Sequence, residues 1–262
     1  LLMIKGELAD ALAMNLSLFQ REQDLNLLQI QLASTLSLLD YQTMAESILA
    51  KEFALSPDNG FINLAYLEFL FRVGDISGVK AVTRTILSRG IQRPEVYQYD
   101  AEVKMLEGDY AGALEALKQA MNSNIYRVSA EVLLAVFVKQ HPELLQTEET
   151  SSLKALAEYL TSINDSIAKG DSWPQMWLLK SIVLFNLGRS EEAYLALNQA
   201  VEKGYLDWRY LMHSPWFIHQ HSQAEFTRVT QQMRELAEYQ RRQMLEAERL
   251  PAEWQEALSR VT

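Results

Sequence analysis

One turn signature returns along this chain at a period near 34 residues, and that recurrence limits the fold more than any other feature. Gly108 opens "GDYAGALEALKQA", residues 108–120. Gly74 stands 34 residues earlier, in "VGDISGVKAVTRTI", Leu39 a further 35 earlier, in "LDYQTMAESILAK", and Gly6 33 before that, in "GELADALAMNLSL". Downstream, Gly188 opens "GRSEEAYLALNQAVEKG", 80 residues beyond Gly108. That distance is two units plus about a dozen residues, and the excess is placed at "KQHPELLQTEETSS", 139–152, between the helices of a degenerate unit. A fixed period of this length marks stacked units, each burying its apolar face only against its neighbours.

The units are helical. Apolar residues recur at three and four through most of the sequence. The punctuation is that of helix stops followed by helix starts: Pro57 to Gly60, Gly90 before Pro94, Gly170 before Pro174, and Gly204. With 10 Gly and 6 Pro in 262 residues, turns are few and elements long. Within 108–120 each residue has a packing task. Gly108 ends one helix in the left-handed conformation, and Asp109 caps the next. Ala113 and Ala120 let neighbouring helices approach, while Leu114 and Leu117 supply buried area. None of these groups is poised for chemistry.

With this spacing and punctuation the chain resembles the tetratricopeptide repeat family. Tyr97, Ala101, Gly108, Tyr110, Ala113 and Ala120 match that family's positions in one unit, and Trp177, Ser181, Gly188, Ala193 and Ala200 match them in another. The units at 26–58 and 61–90 match less well, because Leu39 replaces the turn glycine and Val79 and Ile86 replace alanines of the second helix. The resemblance covers roughly residues 1–204. It implies an all-α fold, an α-solenoid of antiparallel helix pairs coiled into a right-handed superhelix. Residues 205–262 are read as a C-terminal capping segment with a long helix. It also implies that the chain begins inside a repeat, with more protein upstream of Leu1.

In that family the first helix of each unit lines a concave groove that receives a partner's peptide or helix. Carried over onto this chain, the groove positions are Gln29, Ala33, Leu64, Glu68, Gln98, Glu102, Val132 and Val136, with Phe61, Phe71 and Tyr99 nearby. The Lys and Asn residues with which some members clamp a carboxylate terminus are absent from these places. A groove of acids and aromatics suits an apolar or basic segment. The function implied is a non-enzymatic protein-binding scaffold within a larger bacterial protein. The alternative is a sensory domain of a transcription regulator whose DNA-binding part lies upstream.

The rest of the composition excludes more than it assigns. A net charge of −10 argues against direct nucleic-acid binding, which needs a basic footprint. The absence of cysteine removes disulfides, thiolate metal sites and Cys nucleophiles, and it fits cytoplasm and periplasm equally. No apolar run reaches membrane-spanning length. No phosphate loop, nucleophile elbow or metalloprotease helix occurs, so no enzyme, cofactor or metal is expected. His213, His219 and His221 cluster in "HSPWFIHQH" without the spacing of a known zinc motif. Glu148-Glu149 and Glu191-Glu192 are read as acids favoured at helix starts. After Gly204 an aromatic-rich link leads into a helix whose Phe226, Val229, Met233 and Leu236 form one apolar face, resembling the tails of bacterial tetratricopeptide proteins. That face caps the last repeat or, alternatively, forms a homodimer through 222–249.

Overall fold

The turn residues set the chain's course. In the computed structural model, which describes residues 5–19, 26–121, 127–144, 149–171, 173–246 and 254, Gly6, Gly74, Gly108 and Gly188 all take positive φ, between 73° and 78°. The fifth such position is Asp40, at φ 74°, and not the neighbouring Leu39. This corrects the register. Gly6, Asp40, Gly74 and Gly108 are spaced by 34 residues without deviation. Leu39 is instead a buried core residue, 1% exposed. Asp tolerates the left-handed region better than most residues with a Cβ, which is why the turn survives without glycine. The turns at Asp40, Gly74, Gly108 and Gly188 close the same way. The N–H of the following residue donates to the carbonyl five residues back, as in Tyr41 to Leu36 (2.9 Å), Asp75 to Leu70 (2.9 Å) and Asp109 to Lys104 (2.9 Å).

Between the turns run α1 (Leu8–Phe19), α2 (Asn26–Leu38), α3 (Gln42–Leu55), α4 (Gly60–Arg72), α5 (Ile76–Ser88), α6 (Pro94–Leu106), α7 (Tyr110–Met121), α8 (Arg127–Gln140), α9 (Glu149–Ala168), α10 (Pro174–Asn186) and α11 (Ser190–Glu202). Then come α12 (Trp208–His213), a 3-10 turn at Pro215–Gln220, and α13 (Ala224–Glu246). The described residues contain helices and no strand. Sequence-adjacent helices pack on one another, and α2, α4 and α6 also meet in succession. Asp75 and Asp109 cap α5 and α7 by accepting from Gly78 N–H (2.8 Å) and Gly112 N–H (2.9 Å). Ala113 and Ala120 are buried, at most 1% exposed.

The expected insertion at 139–152 resolves into pieces. α8 continues to Gln140, a 3-10 turn follows at Pro142–Leu144, and α9 starts at Glu149 and runs for 20 residues. Residues 145–148, including Glu148, lie outside the described residues. Glu191 and Glu192 occupy the first turn of α11 as expected, with Glu192 paired to Arg189 at 2.6 Å.

Two apolar clusters share α6. Val96 and Val103 belong to the cluster built by α1–α5, while Ala101 and Met105 belong to the one built by α7–α11. The C-terminal segment joins both. Leu206 and Met244 pack into the first; Leu211, Trp216, Phe217, Phe226, Val229 and Met233 pack into the second. The α13 face offered as a dimer surface is therefore covered by its own chain: Phe226, Val229 and Met233 are at most 1% exposed. Of the four residues named for that face only Leu236, 37% exposed, stays at the surface.

The segment also reaches the other end of the chain. α13 packs on α1. The Gln240 side chain accepts from Leu8 N–H (2.5 Å) and Ala9 N–H (3.2 Å), and its amide donates to the Gly6 carbonyl, so one glutamine caps two of the free N–H groups of α1. The backbones at Gly6 and Gly204 touch. A Cβ on Gly204 would lie 2.2 Å from the Lys5 carbonyl carbon. The first and last parts of the described chain thus close on each other.

Candidate functional site

The face lined by α4 and α6 is filled by residues 205–221 of the same chain. α12 packs against α4, and the 3-10 turn at Pro215–Gln220 packs against α6. At the centre sits Glu102, on α6 and 0% exposed. Its Oε1 accepts from the Trp216 indole N–H (3.0 Å), the Tyr210 hydroxyl (3.0 Å) and the Gln98 amide (3.1 Å). Among the described residues its Oε2 meets only the Ser214 hydroxyl, which donates to it at 3.5 Å. All four partners are neutral. Burial outweighs these hydrogen bonds and pushes the Glu102 carboxyl up from its ordinary 4.5 to about 7. In the protonated form of Glu102 the proton is favoured on Oε2, because three donors hold Oε1 as their acceptor.

One turn toward the N-terminus of the array, Arg72 at the end of α4 donates from Nε to Asp207 Oδ2 (2.7 Å) and from Nη1 to Ser37 Oγ (3.0 Å). The two charged side chains are 10% and 16% exposed. Asp207 also caps α12, its Oδ1 accepting from Tyr210 N–H at 3.0 Å. One carboxylate therefore starts α12 and fixes it to α4. Aromatic contacts finish the seat: Phe71 lies 5.3 Å from Tyr99 and 5.8 Å from Tyr210, centroid to centroid. Desolvation raises the Glu68 carboxyl pKa nearby, partly offset by Arg72.

The eleven positions expected to line the groove divide under this geometry. Glu102, Gln98, Tyr99 and Phe71 meet residues of the C-terminal segment or the side chains that hold it. Leu64 and Glu68 are half-buried on α4. Ala33 is 0% exposed, because the 34-residue register aligns it with Leu67 and Ala101, also 0% exposed, in the packed seam. The residues equivalent to Leu64 and Glu68 in the earlier unit are Ile30 and Ser34, one position beyond Gln29 and Ala33. Val132 and Val136 are likewise 0% exposed, inside the core. Phe61 lies apart at the start of α4, 64% exposed, with the Arg93 guanidinium 5.4 Å from its ring centroid.

The occupants of this face, Tyr210, Ser214, Trp216 and Asp207, were not among the expected site residues. Their signal was visible as the aromatic density of 205–217, but a linear sequence does not say against which helices such a stretch folds back. The histidines of this segment separate. His213 lies against Gly74, where a Cβ would be 2.9 Å from its ring, and desolvation lowers its pKa. His221 Nε2 is 3.1 Å from the Leu211 carbonyl, and His219 is exposed. Among the described residues no group of three or more His, Asp or Glu side chains is placed to hold a metal ion, and no helix is long and apolar enough to cross a membrane.

No protein-family model matches the chain, and no curated protein matches it in sequence.

Proposed function

We propose that this chain is a non-enzymatic protein-interaction module of the tetratricopeptide type, an α-solenoid whose receiving face is occupied by its own residues 205–221 until a partner segment takes their place. The observation that carries this reading is the seat around Glu102. A face that desolvates an indole and a phenol and accepts both their donors on one carboxylate oxygen has the chemistry to hold an aromatic-bearing segment. The intramolecular segment benefits from a high effective concentration, so an external partner gains access when that segment is loosened.

The test is a fluorescence-polarisation titration with a labelled synthetic peptide of residues 205–221. The Tyr210→Ala/Trp216→Ala variant, checked by circular dichroism for retained helicity, is expected to bind the peptide at least tenfold more tightly than the wild-type chain. Absence of binding to the folded variant would show that this face does not receive a segment in trans.

A further inference from the structure

We propose that the cleft enclosed by α12, α13 and the turn at Asp40 is a binding site for a small oxyanion, a carboxylate or a phosphate. This inference concerns the arrangement with residues 205–221 seated, since Leu206 to Arg209 line the cleft, and does not rest on their displacement by a partner. Four guanidiniums line the cleft, those of Arg72, Arg209, Arg234 and Arg241, against the three carboxylates of Asp40, Asp207 and Glu238. In a chain of net charge −10, this local excess of positive charge is unusual.

The four arginines are not equivalent. Arg72 is held in place by Asp207 and Ser37. Arg209 pairs with Asp40 and stacks over Trp208, its guanidinium carbon 4.3 Å from the ring centroid. Arg234 reaches the other ring contact, 5.7 Å from the Trp208 centroid, and bonds Glu238 four residues on at 3.0 Å. That pair is half-exposed, with side chains 55% and 47% accessible, and an exposed pair of this kind is worth little and re-aims readily. Arg241 stands two helical turns further along α13 and has no carboxylate partner among the described residues. Its guanidinium carbon lies 6.0 Å from the centroid of the Tyr41 ring.

Arg241 and Arg234 therefore both face the cleft with forks free or easily freed, the geometry that suits bidentate capture of planar or tetrahedral oxyanions. Leu38, Leu39, Leu206 and Ala237 supply the apolar remainder of the lining, which lowers the local dielectric and strengthens the pairing. An anion seated there would contact α12, α13 and the turn after α2 together.

The experiment is isothermal titration calorimetry of the full 262-residue chain with inorganic phosphate and, separately, acetate, with chloride at matched ionic strength as the reference. A saturable heat with phosphate assigns the phosphate form, and one with acetate the carboxylate form. Arg241→Gln is expected to weaken either by about tenfold or more, the loss of one charge-assisted fork, while Arg241→Lys retains part of the affinity. Thermal unfolding of both variants tracks their fold separately. No saturable heat beyond the chloride reference overturns the site, as does binding that Arg241→Gln leaves unchanged in a folded variant.

Discussion

Glu102 shows how far a single side chain can depart from what its position in a repeat implies. The repeat resemblance places it among groove-lining residues, yet it is enclosed, neutral-partnered and titrates near 7. An acid whose folded pKa is raised binds its proton more tightly in the native state than in the unfolded one. Its contribution to stability is present below the ordinary value of 4.5 and is lost as pH rises to about 7. Glu102→Gln reproduces the protonated form, with the amide oxygen at Oε1 and the amide N–H₂ donating to Ser214. The account predicts that the variant gains stability over the wild type between pH 5 and pH 8, by on the order of 3 kcal/mol. Chemical denaturation of both proteins across that range measures it, and a difference that does not change with pH contradicts the assignment. Asp40 makes a second point at this scale. A residue with a Cβ fills a turn that glycine fills elsewhere, and its carboxylate pairs with Arg209, so the position serves the closure of the molecule as well as the turn.

At the scale of elements, the local rules were legible and their long-range assembly was not. Gly74, Gly108, Asp75 and Asp109 announced the turns and caps of α5 and α7 because those interactions span only a few residues. Apolar periodicity cannot distinguish the turn residue Asp40 from the core residue Leu39 beside it. A register set on Leu39 puts the site positions of the 26–58 unit onto the buried seam at Ala33. The role of 205–221 is set by partners 114 and 135 residues away, Glu102 and Arg72, and nothing local encodes that distance. The closure at Gly204 is testable as an element. Its φ is 103°, and a Cβ there would meet the Lys5 and Gly6 backbone. Gly204→Ala should therefore cost more than the roughly 1 kcal/mol of left-handed strain alone. The excess should disappear in a chain beginning at residue 8, with equilibrium unfolding as the measurement. An equal cost in both backgrounds contradicts the contact.

On the scale of the whole molecule, the C-terminal segment is more than the end cap that the exposed side of a last repeat calls for. It covers α11 with Phe226, Val229 and Met233, crosses the face of α4 and α6, and then caps α1 through Gln240. One segment joins both apolar clusters, so the two halves of the array should lose structure together rather than independently. The claim beneath this account is that Trp216 and Glu102, 114 residues apart, are in direct contact. The most direct test is a double-mutant cycle at pH 8 with Glu102→Leu and Trp216→Phe, read by urea denaturation. Contact predicts a coupling energy of about 1–3 kcal/mol, since Glu102→Leu leaves the buried indole N–H without its acceptor and Trp216→Phe removes one of the three donors to Oε1. Additivity to within about 0.5 kcal/mol would mean that the segment does not lie on this face.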